Sequence, residues 1–241
     1  MTTGTFDQIT QDDLRAAGSL KWTNFPDMIG AFVAEMDFGL APAINSAVKD
    51  ALDLGVTGYL PEKLAKDLSQ ATARWYSDSY GWEISPERVH HVPDVIAAFE
   101  LAIEHFTTPG SAIIVPTPAY MPFLLVPPMH DRRVIEVPSI EVDGRWVMDL
   151  DAVAQAFRDG GEMLVLCNPH NPLGTVATRD ELLAIASVVT DAGGRVFSDE
   201  IHAPIVYAPA QHIPYASVSE AAASHTPVSY THLRAHETKA N

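Results

Sequence analysis

Residues 163–202 constrain the fold more than any other stretch, because two short strand patterns flank one helical pattern. Residues 163–167 are apolar, and the loop after them has two prolines and a glycine within seven residues, which exclude a helix or an inner strand. Thr178 and Glu181 form a capping-box pattern, and apolar residues then recur at helical spacing up to a pair of glycines. Residues 195–198 are a second strand pattern. The stretch therefore predicts a strand, a helix and a strand, the βαβ unit of a parallel sheet.

Polar residues follow both predicted strands of this unit. Asn168, His170 and Asn171 come after the first strand, whereas Asp199, Glu200 and His202 come at the end of the second. Open α/β sheets bind ligands outside the carboxyl ends of their strands. We therefore expect these two polar groups to line one crevice.

Composition limits the classes of partner. The net charge of −16 argues against nucleic acid and anionic membranes, because phosphate binding requires clustered Lys and Arg. No apolar run approaches the ~18 residues of a membrane span, and the N-terminus lacks the basic and apolar regions of a secretory signal. The single cysteine, Cys167, suits a reducing compartment and is predicted to be a small core residue of a strand. We expect a cytoplasmic protein.

Helix and strand patterns alternate from about residue 90 to about residue 200, which is typical of an α/β fold. The sequence predicts a mainly parallel sheet covered by helices on both faces. Residues 1–38 are expected to be irregular, and residues 116–128 to be broken by prolines. The further predicted helices are 41–54, 61–80, 94–106 and 149–157, and the further predicted strands are 89–92, 111–115 and 134–137.

Several chemical motifs are absent from the sequence. It has no G-x-G-x-x-G, no Walker loop, no G-x-S-x-G elbow and no paired C-x-x-C. Dinucleotide binding, nucleotide hydrolysis, serine hydrolysis and a structural zinc site are therefore disfavoured.

Two segments, residues 168–174 (Asn-Pro-His-Asn-Pro-Leu-Gly) and 198–202 (Ser-Asp-Glu-Ile-His), resemble the aminotransferase class I/II family of fold-type I pyridoxal-phosphate (PLP) enzymes. Within that family the chain is most similar to the MalY/PatB group of cystathionine β-lyases. The resemblance runs in order from Lys21 to Val228. It implies the large domain of a type I PLP-dependent transferase. Three further segments support it: residues 33–38, 58–59 and 116–120.

The resemblance implies a role for five residues in binding PLP. Asp199 would pair with the ring nitrogen, because the ring withdraws electrons best when that nitrogen is protonated. Asn171 would donate a hydrogen bond to the phenolic oxygen, and Tyr120 would stack on the ring. The phosphate would lie at the N-terminus of the helix 94–106, held by backbone N–H groups near Val95 and Ile96.

The resemblance also implies partners and an activity. Tyr59 would reach the phosphate of a neighbouring subunit, which implies a homodimer, and His202 would lie near the phenolic oxygen. The implied reaction belongs to amino-acid metabolism. It is the cleavage of cystathionine or a cysteine S-conjugate, small amino-acid substrates, to pyruvate, ammonia and a thiol. An aminotransferase is the alternative, since the local motifs do not separate the two reactions.

The same residues allow other interpretations. Asp199 could be a solvated loop acid, and Tyr120 an ordinary half-buried core residue. Asn168 and Asn171 could cap turns, a common use of asparagine. Asp199 could also belong to a metal cluster with Glu200 and His202. We expect no metal, because no further His or Cys falls near them in the pattern.

The residue before the predicted phosphate helix departs from the family pattern. The family usually has glycine there, whereas this chain has Asp94 after Pro93. A carboxylate would repel a phosphate dianion unless Asp94 caps the helix with its side chain turned aside.

The catalytic lysine is the second departure. In the family an S-x-S-K segment carries the Schiff-base lysine about thirty residues after D-E-I-H. That place falls near residues 231–235, which read Thr-His-Leu-Arg-Ala, and Lys239 is the only lysine downstream. No catalytic residue is therefore assigned, and the chain looks truncated before the lysine, which leaves a catalytically inactive fragment as a further alternative.

These departures lead to a predicted division of the chain into three parts. Residues 1–45 would be an N-terminal arm with part of a small domain, and residues 46–228 an incomplete PLP-binding large domain. Residues 229–241 would be a tail that does not match the family. Our hypothesis for the tail is a run-on in a foreign reading frame.

Overall fold

The computed structural model describes residues 8–233 and 236–240, with side-chain surroundings for residues 8–227. The chain divides into two compact units, and the boundary lies between Tyr59 and Leu60. Residues 1–7 of the predicted arm, and residues 234, 235 and 241 of the predicted tail, lie outside the described residues. The three-part division of the chain stays a prediction.

The first unit contains three helices among its described residues: α1 (Gln11–Ala17), α2 (Leu20–Thr23) and α3 (Pro42–Asp53). The expectation that residues 1–38 are irregular is therefore wrong for α1 and α2, whereas residues 24–38 contain no helix or strand, as expected. The side chain of Thr10 accepts from the Asp13 N–H and the Asp13 carboxylate accepts from the Thr10 N–H, a capping box that starts α1. Helix α3 confirms the predicted helix 41–54, with Pro42 in its first turn.

In the first unit, the buried side chain of Lys21 forms hydrogen bonds with the segment 34–38 (Ala-Glu-Met-Asp-Phe). Lys21 Nζ donates to Asp37 Oδ2 at 2.7 Å and to the Glu35 carbonyl at 2.8 Å. Trp22 Nε1 donates to Asp37 Oδ1 at 2.8 Å. Charge-assisted bonds of this kind are stronger than neutral ones, so this segment has a defined conformation within its unit.

The second unit alternates strands and helices as predicted. Its helices are α4 (Glu62–Tyr80), α5 (Val95–Phe106), α6 (Pro122–Met129), α7 (Leu150–Arg158), α8 (Arg179–Ala192) and α9 (Glu220–Ser224). Its strands are β1 (Val89–Val92), β2 (Ala112–Thr117), β3 (Arg133–Pro138), β4 (Ile140–Val142), β5 (Arg145–Val147), β6 (Gly161–Cys167), β7 (Arg195–Asp199), β8 (Val228–Leu233) and β9 (His236–Ala240). Among the described residues, no helix is both long and apolar enough to cross a membrane.

The larger sheet has the strand order β1-β9-β8-β7-β6-β2-β3. Neighbouring strands in the run β8-β7-β6-β2-β3 pair in parallel. Strand β9 pairs antiparallel with both β8 and β1. The predicted βαβ unit is confirmed as β6–α8–β7, with the capping box of Thr178 and Glu181 at the start of α8. The fold class predicted from the sequence, a mainly parallel α/β sheet, is confirmed.

Two hydrophobic clusters cover opposite faces of this sheet, because successive strand residues point to opposite sides. Leu164, Leu166 and Val196 pack against α7 and α8. Met163, Val165, Cys167 and Phe197 pack against α5 and α6. Cys167 is buried, as the sequence predicted for a core position. Helices therefore cover both faces of the sheet. Because side chains alternate along a strand, each residue at a strand end points to one face or the other.

Helix α6 forms within the stretch that the sequence predicts to be broken by prolines, so that prediction is wrong for residues 122–128. Pro122 occupies the first turn, where its missing N–H costs nothing. Phe123 and Val126 are buried against β2 and α5, and this tertiary burial outweighs the prolines in the last turn. The antiparallel hairpin of β4 and β5 was also not predicted.

Candidate functional site

The two predicted polar groups lie side by side at the carboxyl edge of β6 and β7. Cys167 and Asp199 are direct neighbours in the parallel register. The Asn168 N–H donates to the Asp199 carbonyl at 2.9 Å, and Asn168 Oδ1 accepts from the Ala177 N–H at 2.9 Å. Asn168 thus closes the loop 168–174 against the segment that leads into α8.

Asp199 is almost fully buried, with 3% of its surface exposed, so the interpretation as a solvated loop acid is wrong. Its Oδ1 accepts from the Ile201 N–H at 3.2 Å, and Cys167 is its neighbour in the parallel register of β6 and β7. Burial, together with a smaller effect of the Glu200 charge, nevertheless raises the pKa of Asp199 to about 7. Among the side chains of residues 8–227, no cation forms an ion pair with Asp199.

Asn171 and Tyr120 line the same small cleft at the ends of β2 and β6, together with Cys167 and His170. The Asn171 N–H donates to Cys167 Sγ at 3.5 Å. The Tyr120 ring contacts Phe123 edge-on, with centroids 5.6 Å apart, and 42% of the residue is exposed. The ring is therefore supported by the core on one edge and accessible elsewhere.

The N-terminus of α5 has the arrangement that a bound anion requires. Asp94 is the N-cap, and its Oδ1 accepts from the Ala97 N–H at 2.7 Å, so the side chain is engaged with its own helix. Within the described part of the chain, the N–H groups of Val95 and Ile96 have no backbone acceptor. Two N–H groups at the positive end of the helix dipole remain available for an anion.

His202 and Tyr59 are the two remaining residues of the predicted site. His202 is half-buried in the turn after β7, where its carbonyl accepts from the Ile205 N–H at 3.0 Å. Tyr59 is the last residue of the first unit, and its side chain is fully exposed. Their predicted roles stay predictions.

Glu200 is a buried carboxyl whose hydrogen-bonding role the sequence analysis missed. Its Oε1 accepts from Ser198 Oγ and from the Tyr215 N–H, both at 2.9 Å, and its Oε2 lies 3.2 Å from His212 Nε2. The sequence carries only a weak signal of this network, namely two adjacent acids at a strand end, because the partners at 212 and 215 are distant in the chain. Ser198 and Glu200 share a face opposite to Asp199.

The directions of the Asp199 and Glu200 side chains also bear on whether the two residues could bind one metal ion. Asp199 and Glu200 point to opposite faces, so they do not converge on one ion. Within the described residues, no group of three or more His, Cys, Asp or Glu side chains is arranged to hold a metal.

Comparisons with known proteins place this site in a family. The family model named aminotransferase class I and II matches residues 27–231, and the chain therefore belongs to that family. It is 43% identical over 197 residues to the cystathionine beta-lyase of Corynebacterium glutamicum, covering 81% of this chain and 51% of that protein. It is 34% identical to the cystathionine beta-lyase PatB of Bacillus subtilis, covering 78% of this chain and 50% of that protein.

A solved structure agrees with these sequence relatives. Cystalysin from Treponema denticola, whose crystal structure contains a pyridoxal 5'-phosphate cofactor, superposes with a TM-score of 0.86 at 27% identity. The match covers 96% of this chain and 62% of cystalysin. The chain spans about half the length of the curated relatives that it matches.

Proposed function

We propose that this chain is the cofactor-binding part of a PLP-dependent carbon–sulfur β-lyase. The whole enzyme would cleave cystathionine or a cysteine S-conjugate to pyruvate, ammonia and a thiol. The observation that carries the proposal is Asp199, a carboxyl that is buried at a ligand-binding strand end without a cation among residues 8–227. A protonated pyridine nitrogen is a partner that would keep such a carboxyl ionised.

The other site residues have the chemistry that the rest of PLP requires. Asn171 supplies an amide donor for the phenolic oxygen, and Tyr120 an accessible aromatic ring for the face of the pyridine. Val95 and Ile96 supply two N–H groups for the phosphate. PLP, when bound, supplies an electron sink for bond breaking next to the substrate amino group. The protein residues bind it, orient it and hold the proton on its ring nitrogen.

We extend the proposal to the partners and location of the whole protein. Tyr59, with its exposed side chain, would contact the phosphate in a partner subunit of a homodimer. His202 would act near the phenolic oxygen. The cytoplasm is the proposed location, on the basis of a single, unpaired cysteine and an acidic composition.

A lyase is proposed rather than an aminotransferase because both curated relatives described above are lyases, at 43% and 34% identity. The site residues themselves do not decide between the two reactions. Both reactions need a protonated ring nitrogen and a group that removes the substrate α-proton. In the chain as given, Lys239 is the only lysine beyond residue 66.

The chain as given tests the cofactor part of the proposal. We expect PLP to bind noncovalently, so that dialysis removes it and borohydride does not attach it to the protein. Binding is measured by quenching of tryptophan fluorescence on titration with PLP, and Asp199→Asn is the matched variant. We expect Asp199→Asn to bind PLP more weakly than the parent chain. The proposal is contradicted if the parent does not bind PLP, or if Asp199→Asn binds it as tightly as the parent.

A chimera tests the reaction. The chain up to Pro227 is joined to the remaining C-terminal half of the Corynebacterium glutamicum enzyme, and pyruvate and thiol are measured with cystathionine as substrate. Equal amounts of both products identify a β-lyase. Transfer of the amino group to a 2-oxo acid, without release of thiol, identifies an aminotransferase. The same chimera with Asp199→Asn is the control, and it should lose either activity.

A further inference from the structure

A cavity of about 380 Å³ lies beside the proposed cofactor cleft, between the β4–β5 hairpin, the loop after β6 and the start of α8. Most of the side chains that line this hairpin cavity are apolar, among them Val142, Trp146, Leu166, Ala184 and Ile185. A volume of this size and a mainly apolar lining are typical of a site for a small molecule. The hairpin cavity shares Cys167 and His170 with the cofactor cleft, whereas Tyr120 and Asn171 line the cleft and not the cavity.

Asn168 is a buried polar residue in the lining of the hairpin cavity, with 2% of its surface exposed. Its Oδ1 accepts from the N–H of Ala177, which also lines the cavity. Because that partner is a donor, the amide oxygen and not the nitrogen must face it, which fixes the position of Nδ2. Nδ2 is buried and has no hydrogen-bond partner in the described part of the chain. Buried donors in native proteins are almost always paired, so this one indicates an acceptor that the fold does not supply.

The charged residues of the hairpin cavity favour a neutral ligand. Arg145 pairs with Glu181 through two N–H groups, and its Nη2 also donates to the Val176 carbonyl at 2.7 Å, so its charge is already satisfied. Asp180 lines the same cavity and forms no ion pair among the described residues. Burial lowers the pKa of His170, so this ring adds no positive charge near neutral pH. The lining thus has an excess of one negative charge, which disfavours a carboxylate.

We propose that the hairpin cavity binds a small, neutral and mainly apolar molecule through a carbonyl oxygen that accepts from Asn168 Nδ2. The apolar part of the molecule packs against Trp146 of the hairpin and Ile185 of α8. The ligand class is an apolar ketone or amide, and not an amino acid, because an amino acid carries a carboxylate. The site does not require PLP, so the inference goes beyond the proposed function.

The first experiment compares three probes on the chain as given. Acetophenone has an apolar ring and a carbonyl, α-methylstyrene has the same shape with a methylene group in place of the oxygen, and benzoate has a carboxylate. Binding is followed by shifts of the Asn168 side-chain signals and of the α8 signals in amide nitrogen–proton NMR spectra.

We expect acetophenone to bind about two- to tenfold more tightly than α-methylstyrene, and benzoate to bind more weakly than acetophenone. A purely apolar cavity, or one in which a water molecule keeps Asn168 Nδ2 paired, predicts the opposite order for the first two probes, because α-methylstyrene is the more apolar. That order, or binding of benzoate as tight as that of acetophenone, overturns the inference.

The second experiment locates the binding. Ala184 is a half-buried residue of the cavity wall, and Ala184→Leu fills the space without touching Asn168. It should abolish acetophenone binding, whereas Ser187→Leu, at an exposed position of the same helix, should leave it unchanged. Equal binding to the parent and to Ala184→Leu places the probe elsewhere and overturns the inference.

Asn168→Asp tests the donor itself, since it keeps an acceptor for the Ala177 N–H and replaces the Nδ2 donor by an oxygen. We expect it to lose the preference for acetophenone over α-methylstyrene. A variant that folds and retains the preference contradicts the role of Nδ2. A variant that does not fold leaves the decision to the probes on the parent and to Ala184→Leu.

The chimera described above tests the site in a full-length chain. Acetophenone should bind the chimera as tightly as it binds the chain as given. Loss of binding in the folded chimera shows that the remainder of the enzyme fills the hairpin cavity, and overturns the inference. None of these measurements uses PLP, so a failure of the inference leaves the proposed function in place, and a chain that binds acetophenone but not PLP contradicts the proposed function alone.

Discussion

Asp199 and Glu200 are adjacent buried carboxyls that differ in how the protein satisfies them. Glu200 accepts hydrogen bonds from Ser198 and Tyr215 and pairs with His212, all within the fold. Within residues 8–227, Asp199 accepts from one backbone N–H, that of Ile201. Asp199 ends β7 and Glu200 follows it, and the hydrogen bond between Ser198 and Glu200 places the Glu200 carboxyl on the side of the sheet opposite to Asp199.

This difference separates a structural carboxyl from the one that we propose to be functional. A buried carboxyl with a complete set of partners stabilises the packing around it. A buried carboxyl whose pKa is raised to about 7 by burial, and which has no cationic partner among residues 8–227, is stabilised in its ionised form by an external cation. Residue type and burial are therefore poor guides to function here, and the number of partners is the better one. The following experiments test this comparison.

Glu200→Ala should have the largest effect on stability. It removes the partner of His212 and leaves Ser198 and the Tyr215 N–H without their acceptor. We expect a loss of about 3–5 kcal/mol in the free energy of unfolding, measured by urea denaturation followed by circular dichroism. Glu200→Gln, which keeps the shape and an acceptor, should lose less than half of that. A loss below about 1 kcal/mol for Glu200→Ala would show that the network is not structural.

The stability of the chain without PLP should fall as the pH rises from 4 to 8, on account of Asp199. The native pKa of about 7 lies above the ordinary value of 3.8, so the native state holds a proton that the unfolded state releases. That contribution is complete below pH 3.8 and is lost as the pH rises through 7. It amounts to at most about 4 kcal/mol.

The matched variant for this measurement is Asp199→Asn, which does not ionise. Its free energy of unfolding, relative to the parent, should increase between pH 4 and pH 8. A constant difference over that interval would contradict the raised pKa of Asp199. Adding PLP at pH 8 should reduce the difference, because the cofactor stabilises the ionised carboxylate of the parent.

Asp199→Asn should also weaken PLP binding more than Glu200→Gln does. It removes a charge-assisted hydrogen bond to the ring nitrogen, worth about 1.5–3 kcal/mol, which corresponds to about 10- to 150-fold in Kd. Glu200→Gln should change the Kd by less than about threefold, because Glu200 points away from the site. Fluorescence titration at pH 8 measures both. Equal losses in the two variants would remove the distinction between the carboxyls.

Tyr120→Ala should have a smaller effect on the same affinity. If the exposed ring stacks on the cofactor, its removal costs about 0.5–1.5 kcal/mol. Tyr120→Phe keeps the ring and its edge-on contact with Phe123, and should bind PLP nearly as well as the parent. A loss in Tyr120→Phe as large as in Tyr120→Ala would assign the effect to the hydroxyl instead.

Asp94→Asn should have the smallest effect, and in the opposite direction. Asparagine still caps α5 but removes a negative charge from the helix end that would hold the phosphate. We expect PLP to bind more tightly by about 0.3–1 kcal/mol. Weaker binding would mean that the Asp94 carboxylate is needed for the geometry of the helix N-terminus.

Much of the fold was predictable because its signals are local. The capping box of Thr178 and Glu181, the apolar period of α8 and the glycines after it all lie within one element, and they predicted the βαβ unit correctly. Helix α1 carries an equally local signal in Thr10 and Asp13, which the sequence analysis overlooked. Helix α6 was not predictable in this way, since its stability comes from burial of Phe123 and Val126 against distant segments.

The sequence by itself determined the order of strands and helices and the grouping of polar residues at two strand ends, because these depend on period and on turn chemistry between near neighbours. Only the tertiary structure decided that Glu200 is satisfied by His212 and Tyr215 whereas Asp199 has no cationic partner among residues 8–227. It also decided that the Cys167 sulfur accepts from the Asn171 N–H, four residues further along the loop. Partners and burial depend on segments far apart in the chain, which a local pattern does not encode.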